Sequence, residues 1–233
     1  MAQAGNALYD SPRDIPGIIP LFPLEEALLL PRTQMPLNIF EDRYLAMIDH
    51  AIRHDRIIGI IQPKPTPDAS QASKQEDEAD ASQLQRIGCL GRITAFGETG
   101  DGRVLITLSG LCRFQLVSEI ESHLPFRMAE IDCEDYAEDL IEGFGEDQVN
   151  REGVLDIFRA FLDANDMEAD WDNVGKSSNE ILVNSLSMMS PYGIAEKQAL
   201  LEAESLALRA ETLIAITEMH LANDASDAPA TLQ

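Results

Sequence analysis

Prolines at positions 20, 23, 31 and 36 restrict this chain more than any other feature in it. Each fixes φ at about −65° and removes a backbone donor. The stretches that hold them, Ile19-Pro20-Leu21-Phe22-Pro23-Leu24 and Met35-Pro36-Leu37-Asn38-Ile39, can therefore be extended only as edge or turning strands. Between them lies an apolar run, Ala27-Leu28-Leu29-Leu30, that reads as buried. Phe40 then stands just outside a helix spanning about Glu41 to His54, whose first turn carries Glu41 and Asp42 at the positive end of its dipole. Tyr44, Leu45, Ile48, Ala51 and Ile52 share one face of that helix.

Arg56-Ile57-Ile58-Gly59-Ile60-Ile61 is β-branched with no helical period and predicts a central strand, stopped by Pro63, Pro65 and Pro67. Residues 64–85 hold almost no large apolar side chain and cannot offset their ordering entropy, so they predict a disordered loop between strands. From Leu84 to Ile120 the β pattern is clearest. The runs Gly88–Phe96 and Arg103–Leu108 flank the cluster Gly97-Glu98-Thr99-Gly100-Asp101-Gly102, a hairpin signature. Gly110 inside the next run predicts a bulge, and Ala129–Cys133 closes the β portion. Five or six short, mostly hairpin-linked strands indicate a small barrel over residues 15–135, after a frayed, polar Met1–Asp14.

The period changes after residue 135. Val154, Ile157, Phe158, Phe161 and Leu162 mark one amphipathic helix, and Ser177-Ser178-Asn179-Glu180 reads as a capping box opening a second. A long helical pattern follows from Ile194 to Leu221. The domain reading is thus α+β: a β lobe at 15–135, a helical lobe at 136–221 and a disordered tail at 222–233.

The chain carries 17 basic against 41 acidic residues, a net charge of −24. Such a surface repels phosphate backbones and anionic lipid heads, which disfavours nucleic-acid and membrane partners. Cys89, Cys112 and Cys133 are odd in number and form no Cys-x-x-Cys pair, so they predict reduced thiols in a cytoplasmic protein and no zinc site. No secretory leader or membrane-length apolar run is visible.

Several local patterns invite chemistry and are better read as structure. Gly175-Lys176-Ser177 ends like a phosphate loop, but Asp170 stands where its first glycine belongs. Ser177 beside Lys176 is no Ser-Lys dyad, because adjacent residues do not easily bring hydroxyl and amine together. His50 and His54 share a helix face, yet Ala51 occupies the position of the metalloprotease glutamate. The Gly97–Gly102 cluster leads into a strand, so no helix N-terminus awaits a pyrophosphate. Glu41, Arg43 and Arg113, set among Phe40, Tyr44 and Phe114, predict a paired, partly buried network tying the first helix to the barrel, with a ligand contact as the alternative. Glu130 to Asp147 holds nine carboxylates and no Lys or Arg, either a solvated face or a docking surface for basic partners. No catalytic, cofactor or metal residue is assigned.

Taken in order, Pro20–Leu24, Pro36-Leu-x-Ile-Phe-Glu-x-Arg-Tyr44, Ile87–Ile93, Asp101-Gly-Arg103, Gly110-Leu-Cys-Arg-Phe114 and Glu196–Glu202 with Arg209 resemble the N-terminal substrate-binding domain of Lon proteases, in the form of the bacterial proteins that consist of that domain alone. The resemblance runs from about Ile18 to Leu221. It implies a PUA-like pseudobarrel followed by a helical bundle, with the last helical stretch jointed near Ala203-Glu204-Ser205. Leu30-Pro31-Arg32-Thr33, where the family commonly has a glycine, and Asn38, where a histidine is frequent, depart from it. The chain ends where the ATPase and Ser-Lys protease domains of a full enzyme would begin. What the resemblance implies is a non-catalytic module that recognises unfolded or specific protein substrates. Lon-like ATP-dependent peptidase activity and RNA binding through the PUA-like fold stand as alternatives.

Overall fold

The computed structural model describes residues 1–64 and 83–227. Most of the segment expected to be a disordered loop, and the end of the tail, lie outside the described residues. The chain divides into two compact units, Met1–Glu142 with Pro191–Leu201, and Gly143–Ser190 with Glu202–Gln233. The sequence reading places one boundary at 135/136; here the first unit extends to Glu142 and takes back a helix from the C-terminal half.

In the first unit, β1 (Ala2–Ala4) and β2 (Ala7–Tyr9) form a hairpin turned at Gly5, whose φ is +56°. The expected fraying of Met1–Asp14 is thereby corrected. Ala2, Ala4 and Tyr9 are buried in the core, and Arg92 Nη1 donates to the Tyr9 hydroxyl at 3.1 Å.

The main sheet contains β3 (Ile18–Pro23), β4 (Gln34–Ile39), β5 (Ile57–Ile61), β6 (Ile87–Glu98), β7 (Val104–Ile120) and β8 (Arg127–Asp132), with α1 (Asp42–Arg53) between β4 and β5. Its order is β4-β7-β6-β5-β3-β8, and β7 also pairs with β8, so five strands close a ring and β4 is appended to it. The edge character expected of the proline-bearing strands holds for β4 and not for β3, which has neighbours on both sides. The prolines survive there because β3 changes partner along its length. Ile18–Leu21 pairs antiparallel with β8, and Leu21–Pro23 pairs parallel with β5. Pro20 and Pro23 each therefore face a single ladder.

All five residues of β5 are buried, as its unpatterned apolar run requires. Phe114 is fully buried within the ring. Gly88 makes room for its ring, because a Cβ there would lie 2.5 Å from Phe114 Cζ and 2.6 Å from the Ile60 carbonyl oxygen. A side chain of this size contributes about 1.5–3 kcal/mol on burial. The bulge expected at Gly110 is present beside it: Cys89 pairs with Arg113 and Gly91 with Gly110, so β7 carries the extra residue between Gly110 and Arg113, while a second shift between Ile93 and Ala95 places one on β6. Strand-type pairing also reaches into the expected loop, with a Pro63–Leu84 bridge and a 2.7 Å bond from Lys64 N to Gln83 O.

The later helices are α2 (Arg151–Ala164), α3 (Trp171–Lys176), α4 (Asn179–Met189), α5 (Ile194–Glu202) and α6 (Leu206–Asp227). The joint implied near 203–205 falls between α5 and α6, and α6 continues past the Leu221 limit read from sequence. In the second unit, Val149, Val154, Leu182, Val183, Leu206 and Ala210 form the core. Asn150, Asp170 and Ser178 cap α2, α3 and α4. The N-cap is thus shifted by one and no capping box forms, since Ile181 stands at N3; Ser177 closes α3, donating its hydroxyl to Asn173 O at 2.9 Å. Glu180 is instead buried, accepting from Gly143 N at 3.0 Å.

Within the first unit α5 is held by polar contacts. Gln198 bonds Gln62 at 3.0 Å and the Ile87 carbonyl at 3.1 Å, and Gln62 also donates to Ile194 O at 3.2 Å. No helix among the described residues is long and apolar enough to cross a membrane.

Candidate functional site

The five residues singled out by sequence do not form one network. Glu41 and Arg43 pair at 2.8 Å with half-exposed side chains, and the Arg43 guanidinium lies 4.5 Å over the Tyr44 ring. Tyr44 packs on Phe22 with ring centroids 4.3 Å apart. Burial raises the Tyr44 phenol's pKa against the opposing charge of Arg43. Arg113 belongs elsewhere: it is buried and bonded to Asp139, while Phe114 fills the barrel. The grouping with Glu41 fails because the partner of Arg113 comes from the turn after β8, inside the acidic stretch. That stretch is therefore not wholly solvated, since Asp139 is an interior counter-ion. Burial opposes the positive charge of Arg113, but Asp139 outweighs it and the net direction of its pKa is up.

His50 and His54 stack with centroids 4.2 Å apart, and no group of three or more His, Cys, Asp or Glu suited to a metal ion occurs among the described residues. Gly100 and Gly102 have φ of +81° and +87°, the hairpin turn expected between β6 and β7. The three cysteines are buried free thiols.

The surface best suited to recognition lies at β4. It pairs with β7 alone, Pro36 opposite Thr107, Leu37 opposite Ile106 and Asn38 opposite Leu105. Gly110 N donates to Thr33 O, so the alternation of an antiparallel ladder turns the backbone groups of Met35, Leu37 and Ile39 toward β7. Those of Gln34, Pro36 and Asn38 face outward, and Pro36 loses no ladder bond. Its missing N–H does interrupt the outer edge, which blunts addition of another strand. Beside it a groove of about 500 Å³ is lined by Pro36, Leu37, Asn38, Ala95, Phe96, Gly97, Leu105, Ile106 and Thr107. None of these is charged. Phe96 and Leu105 remain 47% and 51% exposed. Sequence reading missed both, because alternation marks which residues leave the core and not which of them meet on one surface.

Residues 18–218 match the family model of the ATP-dependent protease La (LON) substrate-binding domain. The chain belongs to this family. Lon protease of Flavobacterium johnsoniae is 26% identical over 219 residues, covering 91% of this chain and 26% of the relative. Lon protease 2 of Myxococcus xanthus is 28% identical over 120 residues, covering 52% of this chain and 13% of the relative. The matches thus span about a quarter or less of these relatives' length. The Lon N-terminal domain protein from Xanthomonas campestris has the same fold, with a TM-score of 0.57 at 20% identity over 85% of this chain and 97% of that one. So has the N-terminal domain of Mycobacterium avium complex Lon protease, with a TM-score of 0.61 at 19% identity over 87% and 99%. The order of motifs noted in the sequence is thus a Lon substrate-binding domain pattern, and the pseudobarrel with helices after it is the fold that pattern implied.

Proposed function

We propose that this chain is a non-catalytic recognition module that holds apolar stretches of unfolded polypeptide in the groove beside β4. The observation that carries this is an uncharged, apolar groove on a chain of net charge −24. Unfolded polypeptides expose apolar side chains that folded ones bury, so such a surface selects for them. A net charge of −24 opposes self-association of the module through that apolar surface. Because Pro36 interrupts the edge, binding proceeds through side chains seated against Phe96 and Leu105 and not through a continuous added strand. Membership of the Lon substrate-binding domain family supports the same reading.

The test is fluorescence anisotropy of labelled casein titrated with the purified chain. Replacing Phe96 and Leu105 together by serine should raise Kd about thirtyfold, since each half-exposed side chain contributes about 1 kcal/mol of apolar burial. Unchanged affinity would remove the groove from consideration. Casein incubated with the chain, with and without ATP, should stay intact; fragments from a homogeneous preparation would mean an enzyme. A salt-dependent gel shift with RNA would favour the nucleic-acid alternative.

A further inference from the structure

The second unit carries a surface of different chemistry. A cleft of about 380 Å³ is lined by Leu155, Arg159, Asp163, Trp171, Val174 and Gly175, from α2 and α3. Trp171 is the only tryptophan of the chain and stays 40% exposed. Its ring is held in place: Phe158 tilts against it at 5.7 Å between centroids, and the Arg159 guanidinium lies 4.8 Å over its face. Arg159 brings little net charge, because Asp156 pairs with it at 2.9 Å. Met167, on the loop leading to Trp171, is half-exposed. Asp163, Asp166, Glu168 and Asp172 are all exposed. Among the described residues none of these four carboxylates has a cationic partner.

An ordered, half-exposed indole is a large apolar anchor with low entropy cost on binding. Asp163 lines the cleft itself, and Asp166, Glu168 and Asp172, exposed and close to Trp171 in the chain, add charge of the same sign. We infer that the α2–α3 cleft binds a basic amphipathic segment of a partner protein, its apolar face on Trp171 and its Lys and Arg side chains against Asp163, Asp166, Glu168 and Asp172. Acidic or purely apolar segments leave those carboxylates unanswered, so charge complementarity selects the basic class. The inference rests on the reading of this chain as a protein-recognition module but uses a separate surface from the groove beside β4.

Trp171 is its own reporter. The full chain is titrated with a tryptophan-free 14-residue Leu/Lys peptide of helical amphipathic pattern while intrinsic fluorescence is followed. A saturable blue shift is expected. Combining D163N, D166N, E168Q and D172N should raise Kd about tenfold, from four exposed charge contacts. Neutralising four exposed carboxylates of the first unit (E130Q, E134Q, D135N and E138Q) should leave Kd within a factor of two, and circular dichroism checks that both variants stay folded. Equal weakening by both variants would show attraction by net charge alone and overturn the site. So would equally tight binding of a scrambled peptide of the same composition, or a titration without spectral change. The serine replacements of Phe96 and Leu105 should leave this titration unaltered, so the two surfaces fail or stand independently.

Discussion

Arg113 holds Asp139 in a fork, with Nε to Oδ2 and Nη2 to Oδ1 both at 2.8 Å, and its backbone N–H adds a bond to Oδ2 at 2.9 Å. The guanidinium also lies 4.8 Å over the Tyr136 ring, and Nη1 reaches Leu201 O at 3.4 Å. One side chain on β7 thus binds the turn after β8 and the C-terminal part of α5. Both partners are nearly buried, their side chains 7% and 10% exposed.

Removing one member of such a pair strands the other charge in a poorly solvated site. Asp139→Asn should destabilise the chain by about 3–5 kcal/mol in urea unfolding. Arg113→Met with Asp139→Leu should recover a large part of that loss. A cost for Asp139→Asn below about 1 kcal/mol would mean the pair is solvated in solution.

Glu41→Ala should do far less. Glu41 and Arg43 are paired at 2.8 Å but 45% and 56% exposed, which limits the loss to about 1 kcal/mol or below, shrinking further in high salt. A larger change in Tm would show that Glu41 has a buried role the structure does not give it.

Gly110→Ala should be strongly destabilising, by about 2–4 kcal/mol, because an added Cβ would overlap the backbone carbonyl of Leu30. Neighbouring Ser109→Ala serves as the control and should cost about 1 kcal/mol, since it loses only a 3.0 Å bond to Thr94. Thermal melts of the two variants compare them directly.

His50 gives a pH signature. Burial, followed by the nearby His54, depresses its pKa below the ordinary 6.5. The unfolded chain then takes up the proton first, so stability falls as pH drops from about 6.5 toward the folded value and levels off beneath it. His50→Gln should flatten that decline in melts between pH 7.5 and pH 5. An NMR titration placing His50 at or above 6.5 would contradict it.

The residues that were legible in advance are those whose structure is set by near neighbours. The helix after Glu41, the Gly97–Gly102 turn between two β runs and the all-apolar β5 each follow from period, turn chemistry or composition within a few residues. The joint at Ala203–Ser205 came from family resemblance, since the helical pattern crosses it without a break. For the candidate surfaces, sequence reading singled out none of Phe96, Leu105 and Trp171. Exposure and mutual placement, which make these residues a surface, are not written in their periodicity.

What the sequence determined alone was the type of most elements between Ile18 and Leu221 and the sign of the surface charge, because both depend on local propensity and on simple sums. Tertiary structure decided the partners. It set β3 between β8 and β5 despite Pro20 and Pro23, returned α5 to the barrel unit through Gln62 and Gln198, and gave Arg113 to Asp139 in place of Glu41. Such choices rest on contacts between residues far apart in the chain, where any of several partners satisfies the local pattern and only the packed whole separates them.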